Sequence, residues 1–388
     1  MDYTYLMPTK VEHGVGLAQK TGTLISPYVQ QKVLIVTDKG IRSAGLLHEI
    51  ETSLNKAEIK YEIFDEVEPN PSAELIGEGL SFFHKHGCDA LLAVGGGSSI
   101  DTAKGIAVVA RNKGDILDYE GVGKIENEPS PVIAIPTNAG TGSEVTASTI
   151  VTNKKTLFKA AILSPLLFPK LAILDPLLTV SSPPSVTAAT GMDALTHAIE
   201  SYLSKKSSPL SEAFAIRAIQ LIKDNIHKAY FVGTDIESRD NMLIASTMAG
   251  AAFAQSRLGN VHAISQAFGG IFNIPHGIAN ATLLPFVLKY NLPACPEKMR
   301  DIAMWLGVDT TNLSAYEAGE EAIKTIIEMN KAFGIPDNIK DLGVKMEVLQ
   351  QLIDDSMKSG NVHVNPRLTT SEDVKNIILN SYEGILSY

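Results

Sequence analysis

The sequence predicts an α/β domain followed by an all-helical domain, and two observations lead to that prediction. The first is that short β-rich runs alternate with segments of helical period in the first half of the chain. We expect strands over 32–37, 61–64, 90–94, 131–136 and 171–174, and helices over 44–57, 73–86 and 98–110. This alternation predicts a mostly parallel sheet with helices on both faces.

The second observation is a change of character after the segment SSPPS at 181–185. Beyond it β-rich runs are absent, and helical period is found over 186–203, 210–230, 236–254, 262–272, 315–333 and 372–382. We therefore place a boundary near residue 183, with an α/β domain over 1–183 and an all-α domain over 184–388.

Composition and charge exclude several classes of protein. The 388 residues are 45% hydrophobic and 20% charged, as in globular proteins with sizeable cores. A net charge of −10 argues against a nucleic-acid or anionic-membrane partner, and no apolar run is long enough to span a bilayer. Cys88 and Cys295 form no CxxC pair, and the opening residues lack the apolar core of a secretory signal. We expect a cytoplasmic protein that acts on a small molecule, as a homodimer or larger homo-oligomer.

A glycine-rich turn is the first sign of a ligand. The segment 90–104 reads ALLAVGGGSSIDTAK, so a strand ends in Gly95, Gly96 and Gly97 and a helix begins at Ser98. Glycines let backbone N–H groups approach a pyrophosphate, and a helix N-terminus favours its charge. The pattern is not GxGxxG, so a tight turn without a ligand remains the alternative.

Two further features are consistent with a dinucleotide. Asp38 follows the strand KVLIVT, where a carboxylate can accept hydrogen bonds from an adenosine ribose and would repel a 2′-phosphate. The segment 135–146, IPTNAGTGSEVT, places hydroxyls and glycines in a loop after another strand. A solvated turn aspartate and a polar turn cluster are the alternatives.

Four side chains form a candidate metal site. Asp193 and His197 are four residues apart on one face of a predicted helix, and His262 and His276 lie near tight turns. A carboxylate with three imidazoles suits Fe(II) or Zn(II), with Ni or Co as further choices. A capped or salt-bridged helix would explain the first pair alone equally well.

The motifs together resemble the iron-containing (group III) alcohol dehydrogenases. The resemblance runs nearly end to end and rests on GGGSSIDTAK, IPTNAGTGSEVT, LDPLLT, GMDALTHAIE and VHAISQAFGGIFNIPHGIANA, with a closing NPR at 365–367. It implies a dehydroquinate synthase-like architecture, NAD as cofactor and one divalent metal, with Fe(II) expected and Zn(II) as the alternative.

The resemblance also implies roles for individual residues. It makes Asp193, His197, His262 and His276 the metal ligands and places Phe253 beside the substrate. Around the cofactor it points to Asp38, Asn70, Gly96, Gly97, Ser98, Thr137, Asn138, Thr146 and Lys159, to which we add Gly95 and Asp101 of the glycine segment.

The chain departs from the family pattern at three positions. Gln266 stands where the family usually has a second histidine, and Arg257 where it usually has a small residue. The chain reads PTNAG, with Asn138, where the family commonly reads PTTAG. The first departure puts the usual proton route in doubt because glutamine cannot titrate. Metal-bound water, the ribose hydroxyls and His363 are the remaining proton donors, although His363 also suits a plain surface position.

The expected reaction is hydride transfer between NADH and a carbonyl that the metal polarises, with His262, His276 and Gln266 in the catalytic site. Arg257 favours a small aldehyde with an anionic tail, such as sulfoacetaldehyde, phosphonoacetaldehyde or a semialdehyde. Arg257 as a helix cap or a subunit contact, with short neutral alcohols or diols as substrates, is the alternative. A dehydroquinate synthase-like lyase and a non-catalytic protein that binds NAD or metal are the other functions consistent with this sequence.

Overall fold

The computed structural model describes residues 3–272 and 274–386. Its contacts divide the chain into two compact units. One, here called the α/β unit, comprises Leu6–Ser182 together with Gly233–Thr247. The other, here called the helical unit, comprises the residues before Leu6 and the rest of the chain from Pro183 onward. The division after Ser182 lies next to the predicted boundary at 183. Gly233–Thr247 belongs to the α/β unit although the prediction put it in the second domain, and the residues before Leu6 belong to the helical unit although the prediction put them in the first.

The α/β unit is built on a six-stranded sheet in the order β1-β9-β6-β4-β2-β3, and every pairing in it is parallel. A second sheet has the order β5-β8-β7, with β7 and β8 antiparallel. The strands are β1 (Lys10–His13), β2 (Lys32–Val36), β3 (Lys60–Phe64), β4 (Ala90–Gly95), β5 (Gly121–Val122), β6 (Val132–Pro136), β7 (Ser148–Asn153), β8 (Phe158–Leu163) and β9 (Leu171–Leu174).

The predicted parallel sheet is confirmed, and its strands are apolar on both faces. Along β2, Leu34 and Val36 enter one buried cluster, whereas Val33 and Ile35 enter a second cluster on the opposite face. Side chains alternate between the faces of a strand, so a parallel sheet covered by helices on both sides needs a continuous apolar run. The sequence KVLIV supplies that run.

Helices cover the chain as follows: α1 (Thr21–Ile25), α2 (Lys39–Ser43), α3 (His48–Lys56), α4 (Ala73–Lys85), α5 (Gly97–Val109), α6 (Pro184–Leu203), α7 (Pro209–Phe231), α8 (Ile236–Ser256), α9 (Asn260–Phe272), α10 (His276–Asn291), α11 (Pro296–Trp305), α12 (Ala315–Ala332), α13 (Leu349–Lys358) and α14 (Ser371–Glu383). Within the described residues, every strand lies in the α/β unit. The predicted helical second half is therefore confirmed. No helix in the described ranges has both the length and the apolar composition that a bilayer crossing needs.

The structure differs from the sequence-based prediction at several elements, including the short elements β1, β5, α1 and α2, which were not predicted. The helix expected over 44–57 is interrupted, because Gly45 adopts φ +72° and α3 begins only at His48. The hairpin of β7 and β8 was not predicted. Helices α10, α11 and α13 were also missed, and α10 begins at a residue of the candidate metal site.

Candidate metal centre and cofactor residues

Helix α6 supplies the first two candidate ligands. Asp193 and His197 lie four residues apart in the middle of this twenty-residue helix, and both are buried. Their side chains therefore project from one face, and Oδ1 of Asp193 is 3.9 Å from Nε2 of His197. The predicted same-face geometry of this pair is present in the structure.

Helices α9 and α10 supply the other two. His262 lies near the start of α9, and His276 is the first residue of α10. Gly277 lets α10 approach α6 closely, because a Cβ atom at Gly277 would lie 2.2 Å from the carbonyl oxygen of Ala189. The same position is 3.3 Å from Cβ of Asp193, so this contact brings His276 to the ligands on α6.

The four side chains form one cluster. Each offers a ligand atom, and these atoms all lie within 4.8 Å of one another. Metal–ligand bonds of about 2.0–2.2 Å require donor atoms roughly 3–4.4 Å apart, so small movements of these side chains would complete a coordination shell. Three imidazoles and one carboxylate are the donors that Fe(II) and Zn(II) accept. The residues present therefore fit the divalent metal that the sequence predicts.

The surroundings of Asp193 favour the charged form of its carboxyl group. Burial alone would raise the pKa of the Asp193 carboxyl, but His197, His276, His262 and the amide of Asn280 outweigh burial and lower that pKa. Nδ2 of Asn280 lies 2.6 Å from Oδ1 of Asp193, and a carboxylate held in its charged form is the state that ligates a metal.

Two further residues, to which the sequence pattern gave no role, contact the cluster. Glu200 is buried, and its Oε2 is 2.6 Å from Nδ1 of His262. Asn280 is fully buried and reaches Asp193, His262 and His276. Helical spacing was a usable signal for both, because Glu200 is seven residues after Asp193 on α6 and Asn280 is four residues after His276 on α10.

The candidate substrate residues differ in how close they lie to the cluster. The ring of Phe253 stacks on His197 with centroids 4.6 Å apart, so Phe253 borders the ligand set. Arg257 follows the last residue of α8 and adopts φ +60°, and its backbone N–H donates to the carbonyl of Phe253. Gln266 is half-buried on α9, one turn after His262, and His363 is exposed in the loop after α13.

The candidate cofactor residues lie in the α/β unit, mostly at the carboxyl ends of adjacent parallel strands. Asp38 follows β2, Gly95 ends β4, and Thr137 follows β6. In open α/β sheets ligands bind outside this edge. Gly96 caps α5 without a side-chain hydrogen bond, which leaves the first backbone N–H groups of that helix available to a phosphate.

Close packing explains why glycine is needed at positions 96 and 97. A Cβ atom at Gly96 would lie 2.6 Å from Nδ2 of Asn138, and one at Gly97 would lie 2.7 Å from Cγ2 of Thr141. The glycine turn and the loop after β6 therefore touch. Asn70 accepts a hydrogen bond from Nζ of Lys159 at 2.7 Å, which links the segment before α4 to β8.

A buried lysine organises the loop that contains Thr146. Nζ of Lys104 on α5 donates to the carbonyl oxygens of Ser143, Thr146 and Ser148 at 2.8–2.9 Å. Burial lowers the pKa of Lys104 to about 8 and raises that of Asp101 to about 6. One carboxylate oxygen of Asp101 accepts the backbone N–H of Ile150, so this side chain holds β7 against α5. Ser98 is half-buried in the first turn of α5.

Comparison with known proteins identifies the family of this chain. Residues 8–176 match the family model "Iron-containing alcohol dehydrogenase", and residues 187–382 match "Fe-containing alcohol dehydrogenase family, C-terminal". The chain is 41% identical to 1,3-propanediol dehydrogenase of Citrobacter freundii over 98% of this chain and 99% of that protein.

Solved structures give the same assignment. A 1,3-propanediol oxidoreductase superposes with a TM-score of 0.95 at 40% identity, covering 98% of this chain and all of that one. Sulfoacetaldehyde reductase of Bifidobacterium kashiwanohense, solved in complex with NAD+, superposes with a TM-score of 0.87 at 30% identity over 98% and 99% of the two chains. The chain is therefore an oxidoreductase that belongs to the iron-containing alcohol dehydrogenase family.

Proposed function

We propose that this enzyme reduces a small aldehyde with an anionic tail, with NADH as the hydride donor. The observation that carries the proposal is the position of Arg257, one helical turn from Phe253, whose ring stacks on the candidate ligand His197. A guanidinium stays charged at any physiological pH and presents paired donors to a sulfonate, phosphonate or carboxylate.

The environment of Arg257 supports a role for its side chain. Among residues 3–272 and 274–386, the guanidinium makes no hydrogen bond or ion pair with a protein group, although the residue is half-buried. It lies against Gly360, where a Cβ atom would be 3.0 Å from Nη2 and 3.1 Å from Nη1. A larger residue at 360 would displace the guanidinium, so the glycine keeps room for it.

The backbone of Arg257 adds a second argument. A residue other than glycine in the left-handed region costs roughly 1–2 kcal/mol, and helices usually end there in glycine or asparagine. Arg257 adopts this conformation at φ +60°, although it is neither glycine nor asparagine. The proposal gives the side chain a task, the binding of an anion, which would compensate for strain of this kind.

The proposed reaction consumes one aldehyde, one NADH and one proton and yields the primary alcohol and NAD+. A divalent metal held by Asp193, His197, His262 and His276 would supply Lewis-acid polarisation of the carbonyl. Phe253 would exclude water beside His197, and Gln266 would hold the substrate or a water by hydrogen bonds. Because Gln266 cannot titrate, the proton would come from the solvent side, where His363 is exposed.

We propose Fe(II) as the native metal, with Zn(II) as the alternative, and NAD rather than NADP as the cofactor. Support for NAD comes from Asp38, whose half-buried carboxylate stands at the end of β2 and would repel a 2′-phosphate. The glycine turn, with Gly95, Gly96, Gly97 and Ser98, would receive the pyrophosphate. Asn70, Asp101, Thr137, Asn138, Thr146 and Lys159 complete the proposed set.

A second candidate substrate class is favoured by the similarity to a 1,3-propanediol dehydrogenase, whose name denotes a short neutral diol. In that case Arg257 would serve as a helix terminus or meet another copy of the chain. The two proposals differ in what they demand of Arg257, and a comparison of substrates distinguishes them.

The experiment compares kcat/KM for sulfoacetaldehyde and for propanal in the wild type and in Arg257→Ala. We expect sulfoacetaldehyde to be the better substrate, and Arg257→Ala to lower its kcat/KM by about 10–100-fold with little change for propanal. Arg217→Ala is the matched control, because it removes an exposed arginine of α7. A wild-type preference for propanal that Arg257→Ala leaves unchanged would assign the enzyme to neutral alcohols instead.

A further inference from the structure

The buried carboxylate of Glu200 contacts His262 on the ring nitrogen opposite the ligand cluster. Oε2 of Glu200 is 2.6 Å from Nδ1 of His262, and Oε1 accepts the backbone N–H of Val261 at 2.7 Å. Only 4% of Glu200 is exposed, so no solvent molecule substitutes for either partner. Both oxygens are therefore committed to the first turn of α9.

This arrangement fixes the proton on the imidazole. A carboxylate only accepts hydrogen bonds, so the contact with Oε2 requires a hydrogen on Nδ1. A neutral imidazole that carries its hydrogen on Nδ1 has its lone pair on Nε2. Nε2 of His262 lies 4.0 Å from Oδ1 of Asp193, on the side of the ligand cluster.

The contacts of Asn280 agree with the same tautomer. Its Nδ2 is 3.0 Å from Nε2 of His262 and 2.6 Å from Oδ1 of Asp193. An amide nitrogen only donates and has two hydrogens, and its third contact is Nε2 of His276 at 3.1 Å, so the two ring nitrogens share one of these hydrogens as acceptors. Rotation of the amide by 180° would place its oxygen against the Asp193 carboxylate with no hydrogen between them. This repulsion excludes the orientation in which Oδ1 and Nδ2 of Asn280 are exchanged.

We propose that Glu200 is a positioning residue that locks His262 in the Nδ1–H tautomer and thereby presents Nε2 to the metal. The inference rests on metal binding at this cluster and is independent of the substrate proposed above. Carboxylate partners of ligating histidines typically change metal affinity by about 10–100-fold when they are lost.

The test is Glu200→Gln, which keeps the size of the side chain. The amide oxygen of the new residue is claimed by the backbone N–H of Val261, so its NH2 group faces Nδ1 of His262. That donor favours the opposite tautomer, in which Nε2 carries the hydrogen and cannot bind a metal. Competition between apoprotein and a chelator for Co(II) or Zn(II) should show affinity weaker by about 10–100-fold, with a changed Co(II) absorption spectrum.

Glu144→Gln is the matched control, since Glu144 is equally buried, accepts a hydrogen bond from Thr247 and lies in the α/β unit. We expect it to leave metal affinity unchanged. The ring tautomer is measured separately by ¹⁵N NMR of histidine-labelled wild-type apoprotein, with the His262 signal assigned by its loss in His262→Ala. This measurement decides the question even if Glu200→Gln does not fold.

Two results would overturn the proposal. One is Glu200→Gln that binds Co(II) with wild-type affinity and spectrum. The other is a wild-type apoprotein whose His262 carries its hydrogen on Nε2. Neither result depends on which aldehyde the enzyme prefers. The proposed binding of an anionic substrate by Arg257 is therefore tested separately.

Discussion

Gly277 packs so closely on Ala189 that a single methyl group at Gly277 would lie 2.2 Å from the carbonyl oxygen of Ala189. The contact joins the first turn of α10 to α6, and it lies one residue after the candidate ligand His276. Since backbone atoms of α6 cannot move aside cheaply, the position of His276 relative to Asp193 depends on glycine at 277.

We therefore expect Gly277→Ala to separate α10 from α6. Overpacking of this kind costs about 1–3 kcal/mol in stability, and the displaced His276 should weaken metal binding. Thermal unfolding of the apoprotein and chelator competition measure the two effects. Gly77→Ala in α4 is the control, because a Cβ atom there meets open space and should be neutral or stabilising. Equal metal affinity in Gly277→Ala and the wild type would show that the contact does not position His276.

Asp38→Gly should narrow the preference for NADH over NADPH. The substitution removes the charge that would repel a 2′-phosphate, while glycine remains an acceptable N-cap for α2. The ratio of kcat/KM for the two cofactors is the measurement. Glu66→Gln is the control, because it removes a neighbouring carboxylate. The backbone of Glu66 forms a β-bridge with that of Asp38, while its side chain forms an ion pair with Lys39. Equal use of NADPH by the wild type would argue that Asp38 does not face the ribose.

The residues show why the sequence predicts some features and misses others. Asp193 and His197 follow from the regular spacing of one helix, and β2 and β4 follow from uninterrupted apolar runs. Such features depend on neighbours along the chain. The approach of α10 to α6 depends on Gly277 meeting a backbone oxygen 88 residues earlier in the chain, and no local pattern contains that information.

The missed hairpin has a different cause. In β7, buried residues such as Thr149 and Val151 alternate with partly exposed ones, but hydroxyl side chains hide the alternation from a reading based on apolar residues. Thr149 is buried because its hydroxyl donates to the carbonyl oxygen of Asp101. Burial of a polar residue through a specific hydrogen bond is decided by tertiary contacts.

Lys104 predicts a pH dependence of stability. Burial lowers its pKa to about 8, against an ordinary value of 10.5 in the unfolded chain. Between these values the unfolded chain holds a proton that the folded chain has released, so this group's contribution to stability rises with pH. The stability of the wild type relative to Lys104→Met should therefore increase from pH 8 to pH 10 in urea titrations. A difference that stays flat or falls over this range would contradict the assigned pKa direction. Asp101, with a pKa raised to about 6, titrates below the window.

Gln266→His should alter the pH profile of turnover more than it alters cofactor affinity. Gln266 is half-buried on α9, one helical turn after His262, so its side chain projects from the same face of the helix as the candidate ligand. An imidazole at this position would introduce a group that titrates near neutral pH, where glutamine has none. We expect a new inflection between about pH 6 and 8 in kcat, while the Kd for NADH stays within a factor of about two. Gln266→Leu separates the two roles of the side chain, because it removes the hydrogen bonds without adding a titratable group and should lower kcat at every pH. A profile for Gln266→His that superposes on the wild type would place residue 266 outside the reacting site, and the proton would then have to reach the substrate by a path that does not involve this face of α9.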